Sequence, residues 1–273
     1  MPITVRTFEK LGDATSALAS DRGARFLGGG TLVMRAINEG DVSITTIVRS
    51  TDAVASQIRP AGARIEIGAG VTMAQILSNR DLAFLHPAAR IVGGPAVRAM
   101  ATVGGNLFAP SPYGDFAAAL LALDATVSIA GSYSTSETPL EDFLASRERG
   151  GTRLVASISF PRPGNPDTFR FRKVSRVKPK GISVLSIAAL LPVAGGRISG
   201  ARIAFGAMAP TPVRAKGVER ALEGRSLDGE GMSAALAACL EGTAPVDDAI
   251  ASAWYRREVL PIHLKRVLLG QPG

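Results

Sequence analysis

Residues 101–115 read ATVGGNLFAPSPYGD, and no other stretch restricts the fold as much. A threonine and two glycines open it, and a serine and an aspartate close it. Nothing in it reads as helix interior. Thr102 and Val103 read as a short extended piece ending in the turn Gly104-Gly105-Asn106. Paired glycines admit positive φ and let the backbone come close to a ligand. Successive N–H groups in such a turn form a concavity that suits phosphate oxygens. Thr102 and Ser111 add hydroxyl donors. Asp115 is a candidate acceptor for a ribose diol, the role acidic residues play in other nucleotide sites. A Gly/Pro-rich surface loop is the other reading.

Residues 25–34, RFLGGGTLVM, form a second such stretch. A short apolar run meets a triple-glycine turn and then a helix-like segment. It too can present backbone N–H groups to a phosphate, or it is a strand-to-helix turn that needs glycine for its geometry. Neither stretch fits the better-known nucleotide signatures. There is no G-x-G-x-x-G after a strand and no G-x-x-x-x-G-K-[ST], so a nucleotide here is held in some other way.

GGGT near position 30 and ATVGGN with SPYGD near position 105 together resemble the FAD-binding (medium) subunit of the molybdenum hydroxylase family. That family includes the flavin domain of xanthine dehydrogenase and the medium subunit of aerobic carbon monoxide dehydrogenase. The resemblance covers essentially the whole chain, and the TVGGN-x4-SP-x2-D pattern carries most of it. It implies an α+β fold: a two-lobed FAD-binding domain of the PCMH type over residues 1–163, with lobes of about 1–55 and 56–163. A small C-terminal domain of three antiparallel strands and helices follows over 164–273.

The resemblance also implies a site. The backbone around Gly28, Gly29, Gly30 and Thr31 would bind the pyrophosphate from the first lobe, and Thr102, Gly104, Gly105 and Asn106 from the second. Ser111 would hydrogen-bond phosphate or ribose, and Asp115 the ribose hydroxyls. Leu27 and Phe108 would pack near the cofactor, and Leu154 or Val155 would line its adenine or flavin side. Asp248-x3-Ser252-x2-Tyr255-Arg256-Arg257 also matches the family, with packing as its role. Two departures stand out. Leu32 replaces a residue that is commonly polar in the family. The segment from Lys173 to Ser183 often carries acidic residues near the isoalloxazine, and here it carries Lys178 and Lys180. A cation such as Lys180 near the N1/O2 edge of a flavin would stabilise the anionic reduced form and raise its potential; a basic loop at a subunit interface is the alternative.

The implied function is electron transfer. A small subunit with two [2Fe–2S] clusters and a large molybdopterin-containing subunit would be the partners, and NAD, a quinone or oxygen the external acceptor. No residue of this chain need be catalytic. A flavin-free scaffold or a module for another nucleotide is the alternative from a different class. A self-contained flavin oxidase is a third, against which no acid–base pair is evident beside the loops.

Composition agrees with this reading. The chain has 273 residues, 46% of them hydrophobic, enough for a sizeable core in one large or two modest domains. Its 30 glycines and 17 prolines suit a turn-rich chain rather than a helical bundle. One cysteine, Cys239, excludes a disulfide framework and any multi-cysteine cluster made by this chain alone. His86 and His263 lack ligand spacing. The start MPITVRTFEK lacks a long apolar core, so the cytoplasm is the expected location. The formal charge of +8 raises nucleic acid as a partner. The basic residues are scattered, however, which favours a solvated face or a surface turned to an acidic subunit.

Along the chain, residues 1–55 read as strand, helix, strand, helix, strand. Residues 64–68 alternate with a period of two, as a half-buried strand does. Thr72 caps a helix to about 79, and 81–90 reads as helix broken around Pro87. Helices over 116–123 and 140–144 and strands over 126–130 and 154–160 follow. The run PRPGNP at 161–166 is the strongest boundary. Beyond it, strands are expected over 168–174, 183–191 and 197–207, then helices over 214–223, 231–241 and 250–269.

Overall fold

The computed structural model describes residues 2–147, 153–177 and 181–271. They form two compact units. The first comprises Met1–Ile76, Pro95–Ala109 and Ala125–Arg162; the second comprises Leu77–Gly94, Pro110–Asp124 and Pro163–Gly273.

The first unit holds two sheets. Strands Thr4–Phe8, Thr46–Ser50 and Ala24–Phe26 lie parallel, with Thr46–Ser50 in the middle. The middle strand is the apolar one: Thr46, Ile47 and Val48 are buried. Helix Leu11–Ser20 turns Leu11, Ala14, Ala17 and Leu18 inward at helical spacing. These side chains share one cluster with Val48, Leu154 and Ala156, so the helix links both sheets. Burying a leucine there is worth about 2 kcal/mol.

The second sheet is antiparallel, in the order Ile58–Ala61, Arg64–Gly68, Leu154–Pro161, Thr126–Ala130, Thr135–Pro139. The alternation read over 64–68 is present. Ile67 and Val127 both lie opposite Ile158 on the buried face. Glu66 and Thr126 lie opposite Ser159 on the polar one, where the Arg59 Nε and Nη2 both donate to the Glu66 carboxylate.

The second unit is built on a four-stranded antiparallel sheet, in the order Val213–Arg214, Arg202–Gly206, Ser183–Leu190, Phe169–Ser175. The three expected strands are there and a two-residue fourth is added. The strand expected over 197–207 is divided at Gly200, whose φ is +74°. Arg197–Ile198 pairs with Val193–Ala194 instead, and Arg202–Gly206 joins the main sheet. One sheet face, with Leu185, Ile187, Ile203 and Phe205, packs on helices Lys216–Leu222, Gly229–Ala237 and Ala253–Leu268. The other carries small residues. Ser186 lies opposite Gly206 and Ala188 opposite Ala204, and helix Asp115–Ala122, buried along its whole length, lies against them.

The helical stretch expected over 81–90 is divided next to Pro87, into a 3-10 helix Arg80–Leu85 and an α-helix His86–Arg90. Pro87 falls in the first turn of His86–Arg90, where its missing N–H costs nothing. The last helix begins at Ala253, where Ser252 accepts a hydrogen bond from the Tyr255 N–H. At its far end Arg170 donates to the Val267 and Leu268 carbonyls, satisfying groups that a helix terminus leaves open. Among the described residues, no helix is long and apolar enough to cross a membrane.

Candidate functional site

Both glycine loops lie in the first unit. The first leaves the parallel sheet where Leu27 donates its N–H to Val48 at 2.8 Å. Gly30 has φ +73°, which favours glycine. A Cβ on Gly29 would sit 1.7 Å from the Met100 carbonyl oxygen, so only glycine allows the two backbones to come this close. Helix Val33–Asn38 follows with no buried residue, and Leu32 gives it no side-chain cap. Among the described residues, the N–H groups of Gly28, Gly29, Gly30 and Thr31 donate to no protein acceptor.

The second loop differs from the expected extended piece and open turn. Val103–Leu107 is a short helix, and Thr102 is its N-cap, its Oγ1 accepting from the Gly105 N–H at 3.1 Å. Tertiary contacts override the poor helix propensity of its glycines. Val103 and Gly104 donate to the Val71 and Ala69 carbonyls, each at 2.8 Å. Gly104 lies so close to Ala69 that a Cβ would meet the Ala69 Cβ at 2.7 Å. The concavity of free N–H groups expected over Gly104, Gly105 and Asn106 is therefore not formed, because protein oxygens take those hydrogens, Asn106 donating to the Thr102 carbonyl.

The two loops meet at Thr102. A Cβ on Gly28 or on Gly105 would approach the Thr102 Oγ1 to 3.0 Å in either case. Apolar side chains stay exposed in these segments: Leu32, Met34, Met100 and Phe108. Phe108 stands edge-on to Phe143 with centroids 5.6 Å apart. Arg147 fixes the chain on either side of it by donating to the Leu107 and Ala109 carbonyls. Leu27 is half-buried, and Leu154 and Val155 are buried in the strand Leu154–Pro161.

This is a cradle that suits a phosphate-bearing cofactor such as FAD. It has a row of unclaimed N–H donors, a hydroxyl, small residues that leave space, and uncovered apolar side chains.

Ser111 and Asp115 belong to the second unit. Ser111 is half-buried. Asp115 is buried in the first turn of its helix, where a carboxylate suits the helix dipole. It is not an open acceptor awaiting a diol. The Ser183 Oγ lies 2.6 and 2.8 Å from its two oxygens, and the Lys173 Nζ lies 3.0 Å from Oδ2. Lys173 and Ser183 are the residues that the sequence reading passed over. Lys173 sits in the strand Phe169–Ser175 with only 13% of its side chain exposed. A lysine that deep needs a carboxylate partner, but its depth is a property of the fold that no sequence pattern announces. Lys178 and Lys180 lie outside the described residues.

The comparisons with known proteins give the family. The profile described as the FAD binding domain in molybdopterin dehydrogenase matches residues 3–163. That of the CO dehydrogenase flavoprotein C-terminal domain matches residues 170–270. The xanthine dehydrogenase FAD-binding subunit of Escherichia coli O157:H7 is 27% identical over 269 residues, covering 94% of this chain and 92% of the relative. The carbon monoxide dehydrogenase medium chain of Afipia carboxidovorans is 27% identical over 220 residues, covering 77% of this chain and 75% of the relative. In fold, the chain matches a structure of reconstituted CO dehydrogenase from Oligotropha carboxidovorans with a TM-score of 0.90, at 24% identity and 98% coverage of each chain. With the two profiles spanning nearly its whole length, the chain belongs to the FAD-binding subunits of molybdenum-hydroxylase-type oxidoreductases, the xanthine and carbon monoxide dehydrogenase family.

Proposed function

We propose that this chain holds FAD on the two glycine loops of its first unit and serves as the electron-transfer subunit of a molybdenum-containing hydroxylase or dehydrogenase. The observation that carries the reading is the row of N–H groups from Gly28 to Thr31, without protein acceptors among the described residues and next to the Thr102 hydroxyl. In it, Gly28, Gly29, Gly30 and Thr31 donate to the pyrophosphate. Thr102 and Asn106 supply side-chain polar groups, Gly28 and Gly105 leave the Thr102 hydroxyl uncrowded, and Gly104 seats the second loop on Ala69. Leu27, Phe108 and Val155 give apolar surface to the rings. Ser111 and Asp115 lie in the second unit, where Asp115 holds Lys173.

Bound there, FAD would take electrons from [2Fe–2S] clusters of a small subunit, supplied in turn by a large molybdopterin-containing subunit, and deliver them to NAD, a quinone or oxygen. The protein's part is to bind, orient and tune the cofactor. No side chain of this chain is given a role as nucleophile or general acid.

Reconstitution of the complex with and without this chain tests the role. Substrate-dependent reduction of the external acceptor is expected to need the chain, and to be lost with Gly28→Val while substrate oxidation with an artificial dye persists. Equal acceptor reduction without the chain would overturn the role.

A further inference from the structure

The strand Ser183–Leu190 is irregular beside the Asp115 cluster. Against Phe169–Ser175, Leu185 lies opposite Val174 and Ser183 opposite Ser175, which leaves Val184 as an extra residue without a partner. This is a β-bulge, a device that re-aims a side chain. Its effect follows from the period of two in a strand. Leu185, Ile187 and Ala189 face the helix-covered core. In an unbroken strand, the residue two before Leu185 would share that face. The extra residue moves Ser183 to the opposite face, the one shared by Ser186 and its partner Lys173. Only there does the Ser183 hydroxyl reach Asp115.

Arg256 holds the bulge. Its Nε donates to the Val184 carbonyl at 2.8 Å. The rest of the guanidinium donates to the Val246 and Ala251 carbonyls and, at 2.8 Å, to the Asp248 carboxylate. Its side chain is 1% exposed. A buried cation is costly, and a well-packed apolar side chain would fill the same volume at lower cost. The planar five-donor fork is suited to tying one carbonyl of an irregular strand to a distant loop.

We propose that Arg256 is a positioning residue: by fixing the bulge at Val184 it keeps Ser183 on Asp115, and so keeps the Asp115 carboxylate in register with Lys173. Its effect on Lys173 does not depend on the flavin reading above.

The test is a cycle of Arg256→Lys and Ser183→Ala in the full chain, with two readouts. The first is the rate at which acetic anhydride acetylates Lys173, mapped by peptide mass spectrometry, with Lys10 and Lys265 as references. The second is the dissociation constant for added FAD. Arg256→Lys is expected to raise Lys173 acetylation about fivefold, as the loss of one net hydrogen bond would, leaving the reference lysines unchanged. In the Ser183→Ala background it adds nothing further. An unchanged Lys173 rate in folded Arg256→Lys protein, or an equal increment in both backgrounds, would overturn the proposal. A shifted Lys173 rate in a chain that binds no FAD would retain the positioning role and remove the flavin reading. If Arg256→Lys does not fold, Asp248→Asn carries the same cycle, because it loosens the guanidinium without removing it.

Discussion

Ser186 is fully buried, and its hydroxyl has no partner among the described residues. Gly206 stands directly opposite, and a Cβ there would meet the Ser186 Oγ at 2.3 Å, so glycine makes room for this hydroxyl. An unsatisfied buried hydroxyl is a net cost. Ser186→Ala is therefore expected to stabilise the chain by about 1 kcal/mol, read as a higher urea midpoint at unchanged slope; a lower midpoint would mean that the hydroxyl has a partner in solution. Asp248 gives a pH-dependent counterpart. Burial pushes its pKa up, but the Ala251 and Ile250 N–H groups and the Arg256 guanidinium outweigh this and hold it below the ordinary value. A depressed folded pKa contributes stability above about pH 4 that is lost as pH falls through the lower native value. Asp248→Asn should accordingly be less stable than wild type at neutral pH, and the two unfolding curves should converge in acid. Asp115 was legible as a hydrogen-bond acceptor. Its partners were not, because Ser183 lies 68 positions away and reaches it through a bulge that no hydrophobic period announces.

Short elements show where local sequence and tertiary structure disagree. The strand Arg64–Gly68 was legible, since alternation with a buried face has one stable solution. The helix Val103–Leu107 was not, because two of its five residues are glycine. The structure forms it through the Thr102 cap and the carbonyls of Ala69 and Val71. Gly104→Ala tests that account. Its methyl would press on the Ala69 side chain and backbone, with an expected cost of roughly 1–3 kcal/mol. Gly164→Ala, with open space around it and no positive φ, should be near neutral in the same denaturation experiment. Equal effects would show that the helix does not rest on Ala69.

For the molecule as a whole, the division of the chain is less sequential than its composition suggests. PRPGNP marks one passage between the units, but Leu77–Gly94 and Pro110–Asp124 also belong with the C-terminal part. Pro110–Asp124 opens on the Pro/Gly-rich run PSPYG, but what ties it to that part is the sheet on which helix Asp115–Ala122 packs. For the glycine-rich stretches, residue type made close backbone approach legible, as at Gly29 and Gly104. How each loop spends its N–H groups was visible only in the fold: Gly28 to Thr31 leave theirs open among the described residues, while Gly104 and Gly105 commit theirs to Ala69 and Thr102. The most direct test of the central claim is a visible spectrum of the purified full chain, with the released cofactor identified by chromatography. A flavin spectrum with FAD released, lost in a folded Gly28→Val chain, is the predicted result. A folded, colourless wild-type chain that takes up no added FAD, alone or in its complex, would contradict it.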